Sequence, residues 1–269
     1  TGSNATAVGS GAADAADGAA NLTAVGKDAL GNCTSGNSNT AVGVGACLTV
    51  DGTQNVAMDH NSLNADCVSN NTGLGYNALT VFTGSNATAV GSGALQVAGS
   101  QTFNTAVGYQ ALNAATSGNL NTAVGAHALG GTVNGANNTA VGYAAMNVDA
   151  GDDNTAIGKG VLVNFTGSNA TAVGSGAADV ATSATNLTAV GHNALGACTE
   201  GVNNTAVGRM SLALLVGTGT SAGTGGDNNV VMGSYAGYST TGSRNTFLGR
   251  DAGLYATTTD DCIAIGFSA

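Results

Sequence analysis

Several residue types in the chain could do chemistry. Pairs of the form G-x-G occur in "VGSGA" (Val8–Ala12) and "VGVGA" (Val42–Ala46), and such a pair can open a phosphate-cradling loop. The third glycine of that loop is missing and the pair recurs down the chain, so it reads as a corner rather than a nucleotide site. Serines beside glycine lack the strand-to-helix G-x-S-x-G context of a nucleophile elbow. His60, His127 and His192 stand far outside metal-ligand spacing of one another, which leaves a metal shared between chains as their only metal reading. Acidic pairs at Asp152-Asp153 and Asp260-Asp261, and Asp227 beside Asn228 and Asn229, supply oxygen ligands of the kind calcium takes. The nonapeptide pattern of calcium-binding rolls is absent. We expect no cofactor and no metal residues, with calcium as the one candidate ion, and no catalytic residues. A polysaccharide-degrading enzyme is the weakest reading, because no acidic pair keeps a fixed place in the pattern.

The strongest candidate is a column. The residue after the recurring glycine of T-A-V-G is Lys27, His60, Tyr76, Tyr109, Tyr143, Lys159, His192, Arg209 and Arg250, then Phe267, with small residues elsewhere. Four of the five basic residues and three of the six tyrosines fall there. An exposed stripe of tyrosines and cations suits contact with a glycan or protein on a host or environmental surface. The competing reading is a solvent-facing corner that accepts any residue.

The element that places this column is a repeat. With the glycine of T-A-V-G as marker, sixteen units follow one another from Gly9 to Gly266, at intervals of 16 or 17 residues with one exception. That exception, Gly208 to Gly233, contains a Gly/Thr-rich stretch at about 216–226, read as a loop inserted between coils. The marker is Gly in every unit but one, where Asp59 replaces it; Asp is among the few residues that tolerate positive φ. The residue before the marker is Val, Ile, Leu or Met throughout and reads as a buried ladder. Thr, three before the marker, shares its face by strand alternation, and the Ala between them faces the opposite side. Four residues after the marker lies a second apolar ladder, including Leu30, Cys47, Leu63 and Leu112. Asn usually stands four before it (Asn39, Asn55, Asn71, Asn104, Asn121, Asn138), where turn chemistry suffices and a stacked ladder is the alternative.

Stacking such units predicts an all-β fold, a parallel β-solenoid (β-roll) of about 16 coils, forming one repeat domain over 1–269. The composition agrees: 44 glycines, no proline, no tryptophan and 7% charged residues permit a thin repeated core but no thick central one. A net charge of −10 with five basic residues argues against nucleic acid. No apolar run is long enough to span a membrane. Five irregularly spaced cysteines form neither a disulfide framework nor a zinc site, and Cys33 and Cys67, two coils apart, are too distant to bridge. Each coil buries little large aliphatic surface against the entropy of ordering its residues, so association with partner chains is expected.

At these columns, best seen in "NTAVGYQAL" (Asn104–Leu112) and "CIAIGFSA" (Cys262–Ala269), the sequence resembles the head repeats of trimeric autotransporter adhesins and similar repeats of bacteriophage tail fibres. Its unit is longer than that family's usual one, and Thr mostly replaces the first apolar residue. The resemblance implies a homotrimeric, extracellular fibre on a cell surface or virion, mediating attachment without catalysis. The alternatives are a self-assembling extracellular filament subunit and an ice- or crystal-surface-binding solenoid, the latter requiring an exposed Thr column.

Overall fold

The computed structural model describes residues 4–66, 68–97, 99–131, 134–214 and 226–269. It falls into two compact units, Thr1–Ala136 and Asn137–Ala269. The first holds β1 (Thr6–Val8), β2 (Thr23–Val25), β3 (Thr40–Val42), β4 (Val56–Met58), β5 (Thr72–Leu74), β6 (Thr88–Val90), β7 (Thr105–Val107) and β8 (Thr122–Val124). The second holds β9 (Thr139–Val141), β10 (Thr155–Ile157), β11 (Thr171–Val173), β12 (Thr188–Val190), β13 (Thr205–Val207), β14 (Val230–Met232), β15 (Thr246–Leu248) and β16 (Ile263–Ile265). Within each unit every strand pairs in parallel with the next one in sequence, position against equivalent position, most often Thr against Thr and Val against Val. This is the parallel β-solenoid that the repeat predicts.

Each strand is three residues long because the backbone turns on both sides of it. The marker glycine takes φ near +130°, and a Cβ at Gly26 would lie 2.5 Å from the Gly43 carbonyl oxygen of the next coil. Conformation and coil spacing therefore both disfavour a side chain there. Asp59 fills that column with φ 95°, its carboxylate accepting the His60 N–H at 2.7 Å. Five residues before the marker a second turn is left-handed, as at Asn21 (φ 58°), Asn70 (φ 64°) and Asn186 (φ 54°). The G-x-G pairs are explained by a third: the second glycine, at Gly11, Gly45 and Gly93, sits in a column that is left-handed whatever residue fills it.

Backbone bonds run between coils. The Thr23 N–H donates to the Asn39 carbonyl of the following coil, while the Gly26 N–H donates to the Val8 carbonyl of the preceding one. The column four after the marker is left-handed too, through Leu30 (φ 51°), Leu63 (φ 54°) and Leu112 (φ 51°), a conformation rare for such residues. Its cost is offset by burial of the side chain and by a rung, Leu30 N–H to the Ala46 carbonyl at 3.0 Å.

The orientation of the strand corrects the sequence expectation. The middle Ala is the core residue: Ala24, Ala41, Ala106 and Ala156 are fully buried. The flanking Thr and Val point outward, half-buried or exposed, with Val107, Ile157, Met58 and Met232 among the exposed apolar residues. Alternation requires Thr and Val to share a face but does not say which face is inside. The roll is narrow, and with Leu projecting across it from the opposite wall, only a methyl fits on the strand side.

The insertion expected at 216–226 lies, apart from Gly226, outside the described residues. Its flanks still stack in register, Thr205 against Val230 and Val207 against Met232. Among the described residues no helix is long and apolar enough to cross a membrane.

Candidate functional site

Two outward surfaces and two internal ladders account for the residues singled out above. The nine residues after the marker, Lys27, His60, Tyr76, Tyr109, Tyr143, Lys159, His192, Arg209 and Arg250, are all exposed. The corner fixes them there: the residue after a marker glycine leaves the strand at the outer edge of the turn. Tyr76, Tyr109 and Tyr143 are 51%, 52% and 56% exposed, high for large aromatic side chains.

Neighbouring coils bring these side chains into contact. His60 stacks on Tyr76 with ring centroids 5.6 Å apart and planes at 9°. Tyr109 meets the edge of His127 at 5.3 Å. The Arg209 guanidinium lies 5.1 Å from the centre of the Tyr235 ring, and its Nη1 donates to the Tyr235 hydroxyl at 2.6 Å. Arg250 covers Phe267 at 5.6 Å, with its Nε 3.2 Å from Asp251. Lys27 pairs loosely with Asp28 at 3.7 Å. Tyr235, two positions after its marker, belongs to the stripe although the column reading passed over it. Its signal was Ser234 in the preceding position, too small to occupy the corner.

The second surface is the outward strand face, two columns of Thr and β-branched or long aliphatic residues. The sequence reading missed it by placing those residues inside.

The Asn column forms a buried ladder rather than local turns. Asn55 Oδ1 accepts the Asn71 N–H at 2.9 Å, Asn71 Oδ1 accepts the Ala87 N–H at 3.0 Å, and Asn71 Nδ2 donates to the Gly84 carbonyl at 3.1 Å. Each amide thus joins its coil to the next, and Asn39, Asn104 and Asn121 are fully buried as well. Where Ala87 and Ala170 interrupt the ladder, Phe82 and Phe165 are buried in the preceding coil, their Cζ atoms close to where Cβ atoms would stand on Gly84 and Gly167.

The acidic returns act as backbone acceptors. Asp51 accepts the Thr34 N–H at 2.7 Å and the Thr34 hydroxyl at 2.9 Å, and the backbone donor holds its carboxyl below the usual carboxylate range. Asp227 accepts from the Val202 N–H and Asp260 from the Ser243 N–H. Asp261 forms a two-bonded pair with Arg244, at 2.6 and 2.9 Å, which lowers the pKa of Asp261 and raises that of Arg244. Among the described residues no three His, Cys, Asp or Glu side chains gather as a metal ion would require.

Cys33, Cys47 and Cys198 are buried and Cys262 is partly exposed; Cys67 lies outside the described residues. Burial raises the Cys33 pKa and pushes that of Cys198 up to about 11, so both behave as core residues. A cavity of about 550 Å³ opens beside the last coil, between Phe247, Tyr255, Cys262 and Ile263, and Asp251 is the one carboxylate in its lining. A single carboxylate there supplies no acid–base pair.

No family model matches the chain, and no curated protein matches it either.

Proposed function

We propose that the chain is a non-enzymatic, structural and adhesive segment of an extracellular fibre of the tail-fibre or autotransporter-adhesin kind. In this reading it associates as a homotrimer and attaches to a host or environmental surface. One observation carries it: a continuous outward face of Thr and β-branched residues on a roll whose interior is already filled by Ala, Leu and Asn. A two-column apolar face repeated coil after coil is the form of surface that partner chains cover. Eight strands at about 4.8 Å, two columns wide, present on the order of 400 Å² on each unit.

Light scattering tests this directly. The expected mass is three times 25.5 kDa. Lysine at two outward positions, Val107→Lys with Val124→Lys, is expected to reduce it to a monomer while the circular dichroism spectrum is kept. A wild-type monomer overturns the fibre reading, and long polymers favour the filament subunit.

The outward-facing, mostly half-buried Thr column also favours a second reading, an ice- or crystal-surface binder, since a ladder of hydroxyl and methyl groups at strand spacing presents a regular lattice. Val56, Val230 and Ile263 interrupt that column, which weighs against it. Thermal hysteresis in a freezing-point assay, abolished by Thr105→Lys with Thr122→Lys, would establish this reading over the first.

A further inference from the structure

We propose that the corner stripe of the second unit binds a linear polyanionic polysaccharide, one carrying a carboxylate or sulfate at intervals along the chain; this rests on the adhesive reading above. The column holds one cation in the first unit, Lys27, which has Asp28 beside it as Arg250 has Asp251. In the second unit it holds Lys159, Arg209 and Arg250, all exposed, with His192 between the first two. On a chain of net charge −10, a polyanion is repelled by most of the surface and admitted along this line.

Geometry favours a linear ligand. Lys159, Arg209 and Arg250 stand on coils 10, 13 and 15, so at strand spacing the cations follow one another at about 14 and 10 Å along one edge. Ser175 follows Lys159 in the column, and next to Ser234 the Tyr235 ring stands against Arg209. Two of the three cations are held over rings, Arg209 on Tyr235 and Arg250 on Phe267, which lowers the cost of ordering them when an anion arrives. The rings and Tyr143 offer apolar faces to sugar C–H groups. A nucleic acid carries a phosphate on every nucleotide, denser than this row of cations can neutralise on an acidic chain. A glycan charged on every second or third sugar matches it better.

The full chain is passed over immobilised alginate, a polyuronate, and over dextran sulfate, each prepared with charge on only every second or third sugar (the alginate by partial esterification), with neutral dextran as control and a single-stranded oligonucleotide as competitor. Salt-sensitive retention on one or both charged gels is expected, with none on neutral dextran. Alginate alone assigns carboxylate; dextran sulfate alone assigns sulfate. The variant Lys159→Gln/Arg209→Gln/Arg250→Gln is expected to bind more weakly by on the order of tenfold. Arg244→Gln, which removes a charge outside this column, is expected to keep most of the affinity. Equal retention on neutral dextran, unchanged binding by the triple variant, no retention at all, or tighter binding of the oligonucleotide would each overturn the proposal. Light scattering on the same sample separates the two readings. A trimer that is not retained defeats this inference alone, and a monomer that is retained defeats the fibre reading alone.

Discussion

The first unit and the last coils of the second fill the same cross-section in two ways. In the first, the strand contributes Ala (Ala24, Ala41, Ala106, Ala123) and the opposite wall contributes Leu (Leu30, Leu95, Leu112, Leu129), all fully buried. In the second, Phe247 takes the strand position, fully buried, and the wall recedes to Gly237 and Gly253. A Cβ at Gly253 would lie 2.7 Å from the Phe247 ring, and one at Gly237 3.1 Å away. In both arrangements the large residue of one wall is matched by a small one on the other. A large residue on one wall is therefore permitted only with small ones on the other. The outer surfaces diverge more freely, because a corner side chain packs against nothing that limits its size. Hence an aromatic stripe on the first unit and a cationic one on the second.

This coupling can be broken most strongly at Phe247. Phe247→Ala should cost about 3–5 kcal/mol, since neither flanking glycine can fill the void. Gly253→Leu alone drives a side chain into the ring. The double variant restores the first unit's Ala-with-Leu arrangement and is expected to recover much of the loss, read by hydrogen exchange of β14 to β16. Losses that simply add would show the columns to be independent.

The Asn ladder is what the units share, so equal losses sharpen the comparison. Asn71→Ala in the first unit strips partners from the Gly84 carbonyl and the Ala87 N–H. Asn154→Ala in the second strips them from the Gly167 carbonyl and the Ala170 N–H. Each should cost about 2 kcal/mol, measured by local hydrogen exchange at the flanking coils. A clear inequality would mean that Phe82 and Phe165 support their two ladders differently.

The smallest effect separates two carboxylates, both with lowered pKa. Asp51 is held by neutral donors of Thr34, and Asp261 by hydrogen bonds from the Arg244 guanidinium together with its charge. A depressed folded pKa contributes stability above the unfolded value of about 3.9, and that contribution is lost as pH falls through the folded one. High salt should move the Asp261 midpoint back toward the ordinary range and leave that of Asp51 nearly unchanged, followed by side-chain NMR titration. Equal salt shifts would show that charge, not hydrogen bonding, governs Asp51.

Much of this molecule is written in its periodicity. The recurrence of T-A-V-G fixed which residues stack, their register and the corner that carries Lys27 through Arg250. Any residue that repeats with the coil must meet its own copies above and below. The marker glycine was legible because Asp59 was its one substitute, and positive φ explains both. Other features left no such trace. Leucine is not a left-handed residue by preference, so the turn at Leu30 and its equivalents was hidden except where Gly237 and Gly253 replace it. The Asn ladder had two sufficient explanations in sequence, local turn and stacked amide, and only the position of the column in the interior chose between them.

The choice of inside and outside was likewise a tertiary decision. Alternation placed Thr with Val and set Ala against them, and hydrophobicity alone then favoured Val for the core. The corners close the coil too tightly for that: with Leu projecting from the far wall, only Ala fits the strand side, and the Thr and Val columns are turned outward. Sequence determined which residues share a face, because period and pleat are local. The enclosed volume determined which face is buried, because it exists only once the turns have closed.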